Sequence, residues 1–337
     1  MKAHPVLLGL TVASLLAWAP SGFAQLAADH QDSPTITVSN AEIGAAHDLR
    51  ILIYGDMRFT DPKNTTDTAP RVRAWLARKV AEEKPDAMLV TGDIPFRGSS
   101  SSDWQIFRAE ADSWWQDHLR VYPTVGNHEV IPEPKSGYVN YFAAFPQLHG
   151  HHAYSVLLGN VYVLSLNSTE PIWPTGYQAE WLQAQLDHLP PQVDFVFFLI
   201  HVPLIADVQT EFIANVPSPD FVKLRGYLES RAATAHAKFI VVCGHIHNYE
   251  RFERNGITHV ISGGGGAKPY PVYLIGDEDL YRENTASPNF NYVIFTIHGA
   301  HADAKMYRVV DPNAAQLSVR VSDTFAVDAH PKPNPGK

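Results

Sequence analysis

A single cysteine, Cys243, in 337 residues excludes an intramolecular disulfide and any metal site built from several thiolates. Cys243 closes an apolar run and reads as a small buried core residue. Basic charge is also scarce. The 26 Lys and Arg against 35 Asp and Glu give a net charge of −9, so the chain has no general attraction to nucleic acid or to anionic membranes. No repeat or low-complexity linker divides it. The apolar run at residues 6–18 is too short for a comfortable membrane span.

What is present points to a folded, exported protein. Hydrophobic residues make up 45% and charged residues 18% of the chain, enough apolar material for a large core and too little charge for disorder. Lys2, the apolar run, and small residues at Gly22 and Ala24 compose an export signal cleaved before Gln25. Residues 1–24 are thus expected to be a signal peptide and 25–47 a polar leader or edge strand. A catalytic domain is expected over 48–325, and a tail over 326–337. The exported protein should be periplasmic or extracellular, without a stable membrane anchor. The lack of disulfides favours a bacterial periplasm.

The main domain alternates. Apolar runs of strand length occupy 49–54, 87–91, 121–125, 193–200 and 239–243. Stretches of helical period fill 70–84, 103–118, 178–189 and 219–235. Pro70 and Pro219 sit where a first helical turn tolerates proline. Residues 153–158 and 161–166 form a hairpin across Gly159-Asn160. Four more β-type runs follow, at 257–262, 292–298, 305–310 and 317–321. The expected fold is an α/β four-layer α-β-β-α sandwich with two facing mixed β-sheets.

Five of the apolar runs stop abruptly at a metal-competent residue. They end in Gly55-Asp56, Gly92-Asp93, Gly126-Asn127-His128, Ile200-His201 and Gly244-His245-Ile246-His247. Ligands of α/β sheets bind beyond the carboxyl ends of the strands, so these residues converge on one crevice. Carboxylate, amide oxygen and imidazole suit Zn, Mn, Fe or Mg. Two such ions, bridged by a carboxylate, can activate water and clamp an in-line phosphoryl displacement.

As an ordered set, Asp56, Gly92-Asp93, Gly126-Asn127-His128, His201 and Gly244-His245-Ile246-His247 resemble the calcineurin-like metallophosphoesterases, specifically the purple acid phosphatase branch. Asn248-Tyr249-Glu250-Arg251 and the turn at Gly263-Gly264-Gly265-Gly266-Ala267 extend the likeness. The resemblance implies two divalent or trivalent ions, with Asp93 bridging, Asp56 and His247 on the first ion, and Asn127, His201 and His245 on the second. It further implies a metal-bound hydroxide as nucleophile, with His128 assisting the leaving oxygen. Two departures stand out. The family places His two residues after the first Asp, where this chain has Arg58. The purple branch places Tyr three residues after the second Asp, where this chain has Phe96. The first metal is therefore expected to be weakly held or completed by water, and the protein not to be purple.

The expected function is hydrolysis of small phosphate monoesters. The alternatives are phosphodiesters such as nucleotides or phospholipid headgroups, or a catalytically impaired metal- or phosphate-binding protein. A nucleic-acid polymer is disfavoured because no basic groove is apparent. Arg58 is expected either to grip substrate phosphate or to pair with a ligand carboxylate or Asp61. Glu129 is expected to be solvated or ion-paired, and His149, His151 and His152 to lie on a surface loop. Trp104, Trp114 and Trp115 read as packing residues. The substrate-setting loops, 94–103, 130–152 and 202–220, carry no shape information in sequence.

Overall fold

The computed structural model describes residues 35–38, 48–210, 217–276, 278–283 and 288–329. The expected export signal and residues 330–337 of the tail lie outside the described residues. The strands up to the midpoint are β1 (Thr35–Val38), β2 (Leu49–Tyr54), β3 (Ala87–Val90), β4 (Val121–Pro123), β5 (Tyr154–Leu158), β6 (Val161–Leu166), β7 (Phe195–Ile200) and β8 (Val208–Gln209). Beyond them come β9 (Lys238–Cys243), β10 (Tyr249–Arg254), β11 (Ile257–Ser262), β12 (Val272–Tyr273), β13 (Asn291–His298), β14 (His301–Val309) and β15 (Val319–Asp328). The helices are α1 (Pro70–Glu82), α2 (Ser101–Glu110), α3 (Asp112–Gln116), α4 (Pro134–Ala144), α5 (Tyr177–Asp187) and α6 (Pro219–Ala232).

Two mixed sheets carry the fold. One has the order β1-β5-β6-β7-β9-β11-β10, the other β15-β14-β13-β2-β3-β4. The centre of each is parallel: β6, β7, β9 and β11 in the first, and β2, β3 and β4 in the second. Such strands are apolar on both faces because both are covered. Along β7, Phe195, Phe197 and Leu199 enter the core between the sheets. Val196, Phe198 and Ile200 enter a second core together with Leu182 of α5 and Leu224 of α6. Phe197 meets Phe295 of β13 edge-on at 5.2 Å, joining the sheets face to face. Each such side chain contributes about 2 kcal/mol relative to exposure, so two-sided burial fixes these strands firmly.

The expected sandwich is thus present, as are the Gly159-Asn160 hairpin, with Gly159 at φ +58°, and the buried Cys243. The expected edge strand is β1, which pairs in parallel with β5. Three local expectations need correction. The stretch 103–118 is two helices, broken at Ala111 (φ −103°, ψ 20°); beyond the break Trp114 lies edge-on to Phe107 and Tyr54. Part of the 130–152 loop is α4, which opens with Pro134 in its first turn and a Glu133 cap that accepts from the amides of Lys135 and Ser136. Finally, β8 and β12 form a separate two-stranded ribbon, too short for its sequence to announce.

One buried cation ties α1 to the loop that follows β2. Arg73 is fully buried, and its Nε and Nη2 donate to both oxygens of Glu110 at 2.9 and 2.7 Å. Its remaining N–H groups donate to the carbonyls of Arg58 and Thr60 at 3.2 and 3.0 Å. Losing this arginine strands Glu110 and two carbonyl oxygens. Arg73→Met is therefore expected to destabilise the protein by about 3 kcal/mol, read as a lower midpoint in urea unfolding. An unchanged midpoint would mean that water replaces the guanidinium.

Candidate metal centre

The carboxyl ends of β2, β3 and β4 meet those of β7 and β9 at one edge of the sandwich. The residues just beyond them face one another. Backbone bonds from Asp56 N–H to Gly92 O (2.9 Å), Arg58 N–H to Asp93 O (2.9 Å) and Phe59 N–H to Ile94 O (2.7 Å) carry the β2–β3 pairing into the loops. Asp56, Arg58, Asp93 and His245 all hold left-handed backbone conformations, with φ of 57°, 50°, 53° and 69°. Non-glycine residues seldom adopt this region, and such strain concentrates at functional sites. Gly92 (φ +93°) precedes Asp93 because a Cβ there would stand 2.8 Å from His201 Nδ1. A Cβ at Gly244 would stand 2.2 Å from Asp56 Oδ2.

Four donors converge at one point. Asn127 Oδ1 lies 3.0 Å from His201 Nε2 and 3.1 Å from His245 Nδ1. The two imidazole nitrogens are 3.2 Å apart, and Asp93 Oδ1 is 3.3 Å from His201 Nε2. An ion with bonds of about 2.1 Å sets neighbouring ligands at about this spacing. His201 Nδ1 donates to Thr91 O at 2.8 Å, which leaves the Nε2 lone pair facing the cluster, as an outer hydrogen bond does for metal-bound histidine.

A second set adjoins the first. His247 Nδ1 donates to Lys268 O at 3.1 Å. Its Nε2 is buried without a hydrogen-bond partner and lies 3.7 Å from Asp56 Oδ1. Asp56, Asp93 and His201 are fully buried, and one donor atom from each falls within 4.8 Å of the others.

The electrostatics match a cation-binding cluster. Burial, then repulsion from Asp93, pushes the Asp56 carboxyl well above the usual carboxylate range. Burial opposes ionisation of Asp93 as well, but His201, His128 and Arg58 hold it low. Burial lowers the pKa of His201, puts that of His247 well below the usual imidazole range and lowers His245 to about 3. Neutral imidazoles and crowded carboxylates are what divalent ions stabilise. The orphaned His247 Nε2 and the convergent donors therefore fit a pair of ions.

All six expected ligands come together here, and so do His128 and Arg58. His128 Nδ1 donates to Phe96 O at 2.6 Å, with Nε2 4.0 Å from Asp93 Oδ2. Arg58 realises the carboxylate-pairing expectation: its Nη2 donates to Asp93 Oδ2 at 3.1 Å. Glu129 corrects the sequence reading, being neither solvated nor ion-paired. It is fully buried and accepts from the N–H groups of Asp93 (2.9 Å), Ile94 (2.7 Å) and Gly126 (2.8 Å). Burial and Asp93 raise its carboxyl to about 8, while those three N–H groups favour the ionised form. Glu129 thereby locks the Asp93 loop to the Asn127 loop. The three-residue spacing from Gly126 to Glu129, a capping-box separation, was the available signal.

Of the histidine-rich loop, His149 is exposed while His152 is buried, stacked on Tyr138 at 5.1 Å. Trp104 and Trp114 are buried as expected for packing residues, and Trp115 packs against the same core.

Comparison with known proteins agrees with this geometry. The calcineurin-like phosphoesterase family model matches residues 49–263. Purple acid phosphatase 21 of Arabidopsis thaliana is 24% identical over 218 residues, covering 61% of this chain and 45% of that protein. A purple acid phosphatase from yellow lupin (Lupinus luteus) seeds shares the fold, with a TM-score of 0.65 at 18% identity; the match covers 88% of this chain and 55% of that one. GAP50, the anchor in the inner membrane complex of Plasmodium, superposes with a TM-score of 0.59 at 13% identity, covering 85% of this chain and 90% of that one. The chain thus spans about half the length of the plant relatives it matches. With the match running from β2 through the glycine after β11, and every expected ligand inside it, the chain belongs to the calcineurin-like phosphoesterase family.

Proposed function

We propose that the protein is an exported, metal-dependent hydrolase of small phosphate monoesters. The observation that carries this reading is the convergence of Asp93, Asn127, His201 and His245 donors at spacings of 3.0–3.3 Å. Asp56, Asp93 and His247 would hold one ion; Asp93, Asn127, His201 and His245 would hold the other. Such a pair, when bound, polarises phosphoryl oxygens and acidifies water. The chain's own residues do the rest. Thr91 O and Lys268 O orient His201 and His247, and Glu129 sets the two loops that carry Asp93 and Asn127. His128, anchored on Phe96 O, presents Nε2 to protonate the departing alcohol oxygen. The acidic balance of the chain disfavours long nucleic acids. Phosphatase relatives support the monoester assignment. Among the described residues no helix is long and apolar enough to cross a membrane; export rests on the N-terminal sequence.

The test is hydrolysis of an aryl phosphate monoester and the matching diester by protein stripped of metal and reloaded with Mn, Zn, Fe or Mg. Metal-restored turnover that prefers the monoester supports the proposal. Preference for the diester would reassign the substrate.

Arg58 favours a second reading, a centre that binds one ion and turns over poorly. Its guanidinium rests on the carboxylate both ions would share. Removing a positive charge beside a cation site is worth about 4 kcal/mol at 4 Å and an effective dielectric of 20. Arg58→Ala is therefore expected to tighten the weaker ion at least about tenfold, measured by calorimetric titration. A raised KM with unchanged ion affinity would assign Arg58 to the substrate phosphate.

A further inference from the structure

A second group of carboxylates lies buried where the loop after β7, strand β10 and residues 274–276 and 278–283 meet. Asp207, Glu250 and Asp279 are 2%, 0% and 1% exposed. One oxygen from each lies within 4.8 Å of the others. Each carboxylate fixes itself with one oxygen. Asp207 Oδ1 accepts from Ile275 N–H at 2.8 Å, and Glu250 Oε2 accepts from Asp207 N–H at 2.6 Å. Asp279 Oδ1 accepts from the N–H groups of Arg251 and Tyr281 at 3.1 and 2.8 Å. The other oxygen of every member, Asp207 Oδ2, Glu250 Oε1 and Asp279 Oδ2, is buried with no hydrogen-bond partner.

One unpartnered buried carboxylate oxygen is costly, and three sharing one enclosure repel one another as well. The adjoining Arg282 is exposed and donates to the carbonyl oxygens of Gly276 and Asp279. Burial pushes all three carboxyls up, Asp279 to about 7, so the cluster is held together by protons or by a cation. The separations suit a cation: bonds of 2.3–2.6 Å to a central ion allow ligand oxygens up to about 4.8 Å apart. All-oxygen, anionic donors select a hard ion over Zn or Cu.

We propose that Asp207, Glu250 and Asp279 hold one hard divalent cation of the calcium class, which pins the 201–210 loop and the segments at 274–276 and 278–283 to β10. The position gives the ion a structural role. The 201–210 loop begins at His201, and Glu250 follows His247 by three residues. The ion thus braces two segments that supply donors to the other centre. None of this rests on the phosphoesterase reading.

The test uses full-length protein whose transition-metal centre is filled with Zn, freed of calcium with a calcium-selective chelator and then titrated with Ca2+ alone. The expected result is one bound equivalent, with Tm raised by about 5 °C when free Ca2+ exceeds the Kd by about 100-fold. Glu250→Gln and Asp279→Asn should each lose the bound equivalent and the shift while keeping their Zn. Should both variants fail to fold, the anomalous signal of Tb3+ soaked into wild-type crystals locates the ion. A peak within bonding distance of the three carboxylates supports the site. A peak elsewhere, no calcium uptake by the wild type, or a full calcium response in both variants overturns it, leaving a proton-sharing cluster.

Discussion

An Asp93→Asn protein is expected to lose on the order of 10³-fold in kcat, about 4 kcal/mol of barrier, together with at least one bound ion. Asp93 lies between the two halves of the cluster, with one donor atom within 4.8 Å of donors from both Asp56 and His201. Its Oδ1 lies 3.3 Å from His201 Nε2, and after burial its charge is the largest influence raising the Asp56 carboxyl. An amide keeps the shape but removes the negative charge that lets two cations approach each other. Even outer-sphere partners of metal ligands are worth 10–100-fold, so a shared ligand should exceed that range. Metal analysis and steady-state kinetics on one preparation check the outcome. Two retained ions with near-normal turnover would remove Asp93 from the bridging position.

His128→Ala is expected to lower kcat about 10²–10³-fold while both ions stay bound. The dissociation between turnover and metal content is the signature, because His128 is anchored to Phe96 O and keeps 4.0 Å from Asp93. Burial lowers the His128 pKa below 6.5, although Asp93 opposes it, and bound cations lower it further. Proton donation from Nε2 requires the charged form, which exists below that pKa. The kcat profile should therefore fall as pH rises through a midpoint below 6.5, and the alanine variant should lose that limb. A pH profile unchanged by the substitution would assign the proton to another donor.

The candidate ligands are legible in the sequence because each stands just past an apolar strand, and strand ends in parallel sheets converge by topology. Asp56, Asp93, Asn127, His201 and His245 were found that way, and the facing sheets brought them together. The two-sheet architecture was legible for the same reason, since β7 and β9 are too apolar to have a solvent face. Glu129 was not, because a carboxylate serving three backbone N–H groups looks in sequence like any charged residue beside a turn. Helix α4 was missed although Tyr138, Tyr141, Phe142 and Phe145 follow a helical period behind Pro134. The Asp207, Glu250 and Asp279 group had no local pattern at all. Its members lie on three segments that meet only when β10 is laid against its neighbours.

Arg58 links these predictions. In place of an imidazole ligand the chain sets a permanent cation against Asp93, so the two ions should differ in affinity. The most direct measurement is a titration of the stripped protein with Mn2+ or Zn2+, following bound metal and aryl phosphate turnover together. The account predicts two transition-metal equivalents of unequal affinity, with turnover appearing as the second binds. Saturating turnover at one equivalent, or two bound equivalents without turnover on either the monoester or the diester, would contradict it.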